Sequence, residues 1–177
     1  MTNAELAVLS LLSEKPRHGY DIEAQIEQRG MREWTDIGFS SIYAILKKLL
    51  KKGWVEAETT QSVGQGAPRK VYRITPAGRT AQQTAVIEAL AEPDRPNSSL
   101  LLGLANLPSV PKSQALEALG HYYRALEGRL GQLLTRAEEQ QPLPDFVEAM
   151  FDYSTTMIAT ELAWLNDYIQ KMETQHG

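Results

Sequence analysis

The spacing of apolar residues changes at Gly53, and this change constrains the fold more than any other feature of the chain. Before Gly53, apolar residues recur every three or four positions, at Ile42, Ile45, Leu46, Leu49 and Leu50. This spacing predicts a helix over residues 40–52 with a single buried stripe. After Gly53, residues 54–61 and 69–75 alternate with a period of two, which predicts two strands. The glycine-rich segment 63–68 between them predicts the tip of a β-hairpin.

Three further helices surround this pattern. Residues 4–13 place their leucines on one broad helical face, and residues 18–29 form a short second helix that Gly30 closes. Thr75 and Pro76 supply an N-cap and a first-turn proline for a helix that runs to about Ala91. Three helices, two strands and a basic third helix together predict a winged helix-turn-helix.

The net charge of −4 conceals a strong asymmetry along the chain. Residues 1–79 hold 12 Lys and Arg against 9 Asp and Glu, a net of +3, whereas residues 80–177 hold 6 against 13, a net of −7. Residues 38–79 alone carry 8 against 2, a net of +6. Because phosphates respond to a local concentration of positive charge, this segment is a candidate surface for nucleic acid.

The basic charge lies on the third helix, opposite its apolar stripe. Helical phase collects Ser40, Ala44, Lys47, Lys48 and Lys51 on that face, with Ser41, Tyr43 and Lys52 beside it. Arg69 and Lys70 leave the hairpin tip near Gly66, where the wing is expected to approach a DNA backbone. Small residues at the start of the helix would allow close approach to base edges, and the lysines would bind phosphates. The alternative is that the lysines form only a solvated helix face.

The segment from Glu92 to Asn97 contains two prolines and predicts a boundary between domain 1–92 and domain 93–177. The second domain is predicted to be helical and to pair two copies of the chain. Its last helix, about residues 145–174, has two apolar stripes, and a helix that is apolar on two sides must be covered twice. One cover is the preceding helix, and the other is a second copy related by a two-fold axis. The predicted dimer residues are Phe146, Met150, Tyr153, Met157, Ile158, Leu162, Trp164 and Leu165.

Several classes of site are not expected. The chain has no cysteine, its three histidines are far apart in sequence, and no pattern indicates a metal, a cofactor or a catalytic group. Gly64 and Gly66 begin a GxGxxG pattern that lacks its third glycine and lies between two strands, so a dinucleotide site is not indicated. The longest nearly apolar run has eight residues, from Leu100 to Leu107, so no membrane partner is expected. We expect a cytoplasmic protein.

Three motifs resemble the PadR family of bacterial transcription regulators. They are PRHGY at 16–20, SIYAILKKL at 41–49 and PRKVYRITPAGR at 68–79. The resemblance covers about residues 4–80, and the remainder is similar only in architecture. Many relatives have a glycine near Ser40 and a proline where this chain has Ala44, so the third helix is expected to start straighter here. The implied fold is mostly α with a small β-hairpin wing, an α+β winged helix-turn-helix followed by an antiparallel helical dimerisation domain.

The resemblance implies a homodimeric regulator, most simply a repressor, that binds double-stranded DNA at a palindromic operator. It places the hydroxyls of Tyr20 and Tyr43 near the DNA; the alternative is that both rings only pack the three-helix core. The family also implies an effector, in some members a planar aromatic molecule, for which Trp34 and Trp164 are candidate contacts in this chain. Two other readings stay open: a winged helix that binds proteins without DNA, and a small-molecule enzyme whose catalytic group has no visible motif.

Overall fold

The computed structural model describes residues 1–35, 37–38, 41–60, 69–93 and 99–174. The chain divides into two compact units, Met1–Arg95 and Pro96–Gly177. The sequence put this division at residues 92 and 93. Within the described ranges, no helix has the length and the apolar character needed to cross a membrane.

The first unit has the predicted order of elements, with a short 3₁₀ turn and one strand added. Its elements are α1 (Asn3–Glu14), β1 (Arg17–His18), α2 (Gly19–Gln28), a 3₁₀ turn (Met31–Glu33), α3 (Ile42–Lys51), β2 (Val55–Thr60), β3 (Arg69–Ile74) and α4 (Pro76–Ala91). The added strand is β1, which consists of two residues. Periodicity cannot reveal so short a strand, because two residues do not make a pattern.

The three strands form one antiparallel sheet in the order β1, β3, β2. β2 and β3 are the predicted hairpin, and their register runs from Val55 opposite Ile74 to Thr60 opposite Arg69. β1 pairs with the other edge of β3, where His18 lies opposite Val71. The start of α2 is thereby attached directly to the wing.

One apolar core holds the first unit together. It is built from the inner faces of α1, α2 and α3, together with Ile37, Val55, Tyr72 and Ile74. Thr75 joins α4 to this core, because its hydroxyl donates to the Gly53 carbonyl at 2.8 Å and accepts from the Gly78 amide at 3.0 Å. The predicted N-cap at Thr75 and the proline in the first turn are both confirmed.

The second unit is helical in its described residues, as predicted. Its helices are α5 (Ser99–Ala105), α6 (Lys112–Glu139) and α7 (Asp145–Thr174), with a 3₁₀ turn at Leu107–Ser109. α6 and α7 form a hairpin, and their packed faces share a core of Leu119, Leu126, Leu133, Phe151, Ile158, Leu162 and Leu165. Apolar residues spaced by three and four on both helices account for this core.

Candidate nucleic-acid interface

α3 separates its residues into an apolar face and a basic face. Ile42, Ile45, Leu46 and Leu49 are buried in the core of the first unit, which confirms the predicted stripe, and Leu50 is partly buried. The opposite face exposes Tyr43, Ala44, Lys47, Lys48 and Lys51. A helix held along one side by its core presents the other side as a fixed surface.

The exposed lysines of α3 form no ion pair with the acidic residues that the structure describes. These lysines are Lys47, Lys48 and Lys51. Their positive charges therefore act together on whatever approaches this face.

Lys52 differs from the other three lysines. Its ammonium group donates to both oxygens of Glu5, at 2.8 and 2.9 Å, and lies 4.5 Å from the centre of a Trp54 ring. The sequence had placed Lys52 at the border of the basic face. Its charge instead serves the contact between the end of α3 and α1.

Ser41 is the N-cap residue of α3. The Ser41 hydroxyl donates to the Gly38 carbonyl at 2.7 Å, and the Ser41 amide donates to the same oxygen at 3.1 Å. The hydroxyl oxygen keeps lone pairs that can still accept a hydrogen bond. Ser40, a predicted contact residue, lies outside the described residues.

Two tyrosines flank the basic face. Tyr43 is 63% exposed and Tyr20 is 50% exposed, and neither belongs to the core cluster, which contains Tyr72 instead. The Tyr20 ring stacks on His18 with ring centres 5.3 Å apart and planes inclined by 8°. The Tyr43 ring lies against Gly19, the first residue of α2. The sequence did not indicate these roles for His18 and Gly19, because they depend on how α2 and α3 cross.

The base of the wing lies beside these tyrosines. Lys70 is exposed, and its carbonyl oxygen is 3.0 Å from Nδ1 of His18. Because the carbonyl can only accept, Nδ1 is the donor in this contact. Arg69 pairs with Thr60 through its backbone, and its side chain lies outside the described part of the chain, as does Gly66.

Two shifted pKa values report the local environment. Burial raises the pKa of the Tyr72 phenol, and the nearby Tyr43 raises it further. For Glu5, burial alone would raise the pKa. The hydrogen bond from Lys52, the Thr2 amide and the charges of Lys52 and Lys48 outweigh that effect, so the pKa of Glu5 lies below its ordinary value. Glu5 is thus a carboxylate at neutral pH.

Comparison with known proteins identifies the first unit. The family model of the transcriptional regulator PadR-like family matches residues 8–84, the range that contains α2, α3 and the wing. This part of the chain is similar to the PadR-like family. The family is one of transcriptional regulators and not of enzymes, so the enzyme reading of the sequence is set aside.

One sequence relative and two solved structures are also similar to this chain. Uncharacterized protein X of Lysinibacillus sphaericus is 38% identical over 72 residues, which are 41% of this chain and 64% of that protein, or less than two thirds of its length. Bacillus subtilis PadR in complex with operator DNA has a TM-score of 0.77 at 22% identity, with 96% of this chain and 98% of that chain covered. The same protein in complex with p-coumaric acid has a TM-score of 0.76 at 20% identity, with the same shares covered. At these identities the similarity shows the fold, a PadR winged helix-turn-helix with a helical second unit.

In this PadR-like chain, the residues predicted to form a dimer fall on two faces of α7. Ile158, Leu162 and Leu165 are buried in the core that α7 shares with α6. The other five are exposed: Phe146, Met150, Tyr153, Met157 and Trp164. The two predicted stripes are therefore present. The stripe of Ile158, Leu162 and Leu165 is covered by packing of α7 on α6. The role of the exposed stripe in pairing two copies stays a prediction.

The candidate effector residues of the PadR-like chain lie in different units. Trp34 belongs to the first unit and is 41% exposed. Trp164 belongs to the second, is 45% exposed, and stacks on Tyr168 with ring centres 5.1 Å apart. Within the described ranges, no three His, Cys, Asp or Glu side chains are grouped so that they could hold a metal ion. An effector contact at either tryptophan stays a prediction.

Proposed function

We propose that this PadR-like chain binds double-stranded DNA as a homodimer and represses transcription from a palindromic operator. The observation that carries the proposal is the face of α3 on which Lys47, Lys48 and Lys51 are exposed and form no ion pair with a described acidic residue. A basic helix face backed by an apolar core is suited to the major groove, where lysines bind phosphates on both sides.

The surroundings of α3 support the same reading. Tyr20 of α2 and Tyr43 of α3 are both exposed, and Lys70 is exposed at the base of the wing. Ala44 offers a methyl group of the kind that contacts thymine, and the Ser41 oxygen can accept from a base donor. In a dimer, two copies of α3 would reach major grooves about 34 Å apart on one face of the duplex.

The test begins with selection of bound fragments from genomic DNA, followed by titration of the selected fragment. Lys47→Gln should weaken binding by a similar factor on every fragment, because a phosphate contact carries little sequence information. Lys171→Gln removes one charge from an exposed lysine of α7 and is the matched control, expected to bind like the unmodified chain. Failure of the chain to retain any fragment would favour the reading as a protein-binding winged helix.

An effector of the planar aromatic class is the second part of the proposal. Its support is the half-exposed Trp164 on Tyr168, together with the p-coumaric acid complex of Bacillus subtilis PadR. The probe is p-coumaric acid, followed by tryptophan fluorescence in the unmodified chain, in Trp164→Phe and in Trp34→Phe. Quenching that disappears in one of the two variants supports a site at that residue. Operator affinity that is independent of a panel of planar aromatic acids would contradict regulation by this class.

A further inference from the structure

We propose that Gly19 is a positioning residue for DNA binding: because it has no side chain, it forms a seat for the Tyr43 ring and so holds that ring in place beside α2 and the wing. The inference rests on the proposed function. It concerns a residue that would not itself contact DNA.

The seat follows from the distances around Gly19. A Cβ built on Gly19 would lie 2.7 Å from Cε1, 3.0 Å from Cζ and 3.2 Å from the hydroxyl oxygen of Tyr43. Real Cβ atoms essentially never come within 3.0 Å of another heavy atom. With the Tyr43 ring in place, position 19 therefore admits only hydrogen.

The backbone of Gly19 gives no other reason for a glycine. The positive φ angles of the described glycines occur at Gly30 and Gly53, whereas Gly19 starts α2 in a conformation that any residue adopts. A glycine within a helix costs up to about 1 kcal/mol relative to alanine. The contact with Tyr43 is thus the feature of this position that requires glycine.

The residues on both sides of Gly19 fasten this seat to the wing. Nδ1 of His18 donates to the Lys70 carbonyl on β3, and the His18 ring carries the stacked ring of Tyr20. The His18 amide donates to Asp21 at 3.1 Å, which closes the first turn of α2. The seat therefore connects Tyr43 of α3 with Tyr20 of α2 and with the strand that leads from the wing.

Tyr43 is the movable partner in this contact. Its ring is 63% exposed, so it can swing toward solvent without opening the core. Alanine at position 19 should therefore displace the ring and leave the fold intact. A displaced Tyr43 no longer meets the DNA in register with Lys47 and the wing, so we expect operator affinity to fall by about tenfold.

The test is a double-mutant cycle on a selected operator fragment, with Gly19→Ala, Tyr43→Ala and the double variant. If Gly19 acts by seating the ring, all three bind with similarly reduced affinity, because Gly19→Ala has no further effect once Tyr43 is truncated. A Gly19→Ala variant that binds like the unmodified chain, or effects that multiply in the double variant, would overturn the inference. Gly128→Ala in α6, where an added Cβ meets nothing within 4 Å, is the control.

Two further readouts keep the result decisive. The first is the unfolding midpoint of each variant, followed by fluorescence. If Gly19→Ala lowers this midpoint, adding Tyr43→Ala must restore it, and a midpoint that stays low in the double variant contradicts the seat.

The second readout uses no DNA and is the fluorine NMR spectrum of chain labelled with 3-fluorotyrosine. The Tyr43 resonance is assigned through Tyr43→Phe, and it should shift in Gly19→Ala and not in Gly128→Ala. A shifted resonance in a chain that retains no DNA fragment would refute the proposed function and preserve the seat. An unshifted resonance would refute the seat.

Discussion

Glu5 in the first turn of α1 accepts two hydrogen bonds from the Lys52 ammonium group at the end of α3, at 2.8 and 2.9 Å. The same carboxylate accepts from the Thr2 amide at 3.2 Å and so completes a capping box with Thr2. Glu5 is buried, whereas Lys52 is partly exposed. One carboxylate therefore caps α1 and holds the end of the helix that presents the basic face.

Glu5→Gln is expected to lower the free energy of unfolding of the first unit by about 1.5–3 kcal/mol at pH 7, the range for hydrogen bonds to charged groups. Because the pKa of Glu5 is lowered by folding, its contribution is complete above the unfolded pKa of about 4.3. It is lost as the pH falls through the lower folded value. Urea unfolding of Glu5→Gln and of the unmodified chain at several pH values measures this difference in the free energy of unfolding.

The pH dependence distinguishes the Glu5 contact from a general effect of charge. The difference between Glu5→Gln and the unmodified chain should shrink below about pH 4. Glu58→Gln, at an exposed position of β2, should change the free energy of unfolding by less than about 0.5 kcal/mol at any of these pH values. A difference for Glu5→Gln that stays constant down to acid pH would contradict the role of its carboxylate.

Gly78→Ala should destabilise the first unit by about 1–3 kcal/mol, the usual cost of overpacking. A Cβ at this position would lie 2.1 Å from the Trp54 carbonyl oxygen, and backbone cannot swing aside as a side chain can. Thermal unfolding followed by circular dichroism measures the effect. Gly128→Ala is the control and should be neutral or slightly stabilising. An unchanged midpoint for Gly78→Ala would show that α4 does not pack on Trp54 as described.

Much of this architecture was predictable from the sequence. The apolar stripe of α3, the two strands of the hairpin and the Thr75 cap follow from periodicity and capping rules, which act over a few neighbouring residues. The strand β1, the pairing of Lys52 with Glu5 and the contact of Gly19 with Tyr43 could not be predicted, because each depends on residues distant in the chain. Helical phase puts Lys52 close to Lys48 and Lys51. Lys52 differs from them because α1 places Glu5 within hydrogen-bond distance of its ammonium group.

Operator binding should show a strong dependence on salt. If about four basic side chains of each subunit reach phosphates, the slope of log K against log salt concentration should be near −7 for the dimer. Titrations between about 50 and 200 mM salt measure it, and Lys47→Gln should reduce its magnitude by nearly two units, because a dimer loses two contacts. A slope weaker than about −3 would mean that the basic face of α3 is not used as proposed.

Tyr153→Asp should weaken association of two copies while each copy stays folded. Tyr153 lies in the middle of the exposed stripe of α7, and burying an unpaired charge in an apolar interface is unfavourable. Sedimentation at several concentrations measures association, and helical circular dichroism reports folding. Ala163→Asp places the same charge at an exposed position outside the stripe and should leave association unchanged. Monomeric unmodified chain at micromolar concentration would contradict the dimer.

Among the described residues, the strand order leaves one edge of β2 unpaired, and the exposed side chains of this strand include Glu56 and Glu58. An unpaired strand edge is a template on which a strand from another molecule can add. Two like charges on so short a strand repel a second copy laid alongside it. We expect these acidic residues, of which Glu56 also lies 3.8 Å from Arg73 of β3, to disfavour edge-to-edge aggregation of the hairpin.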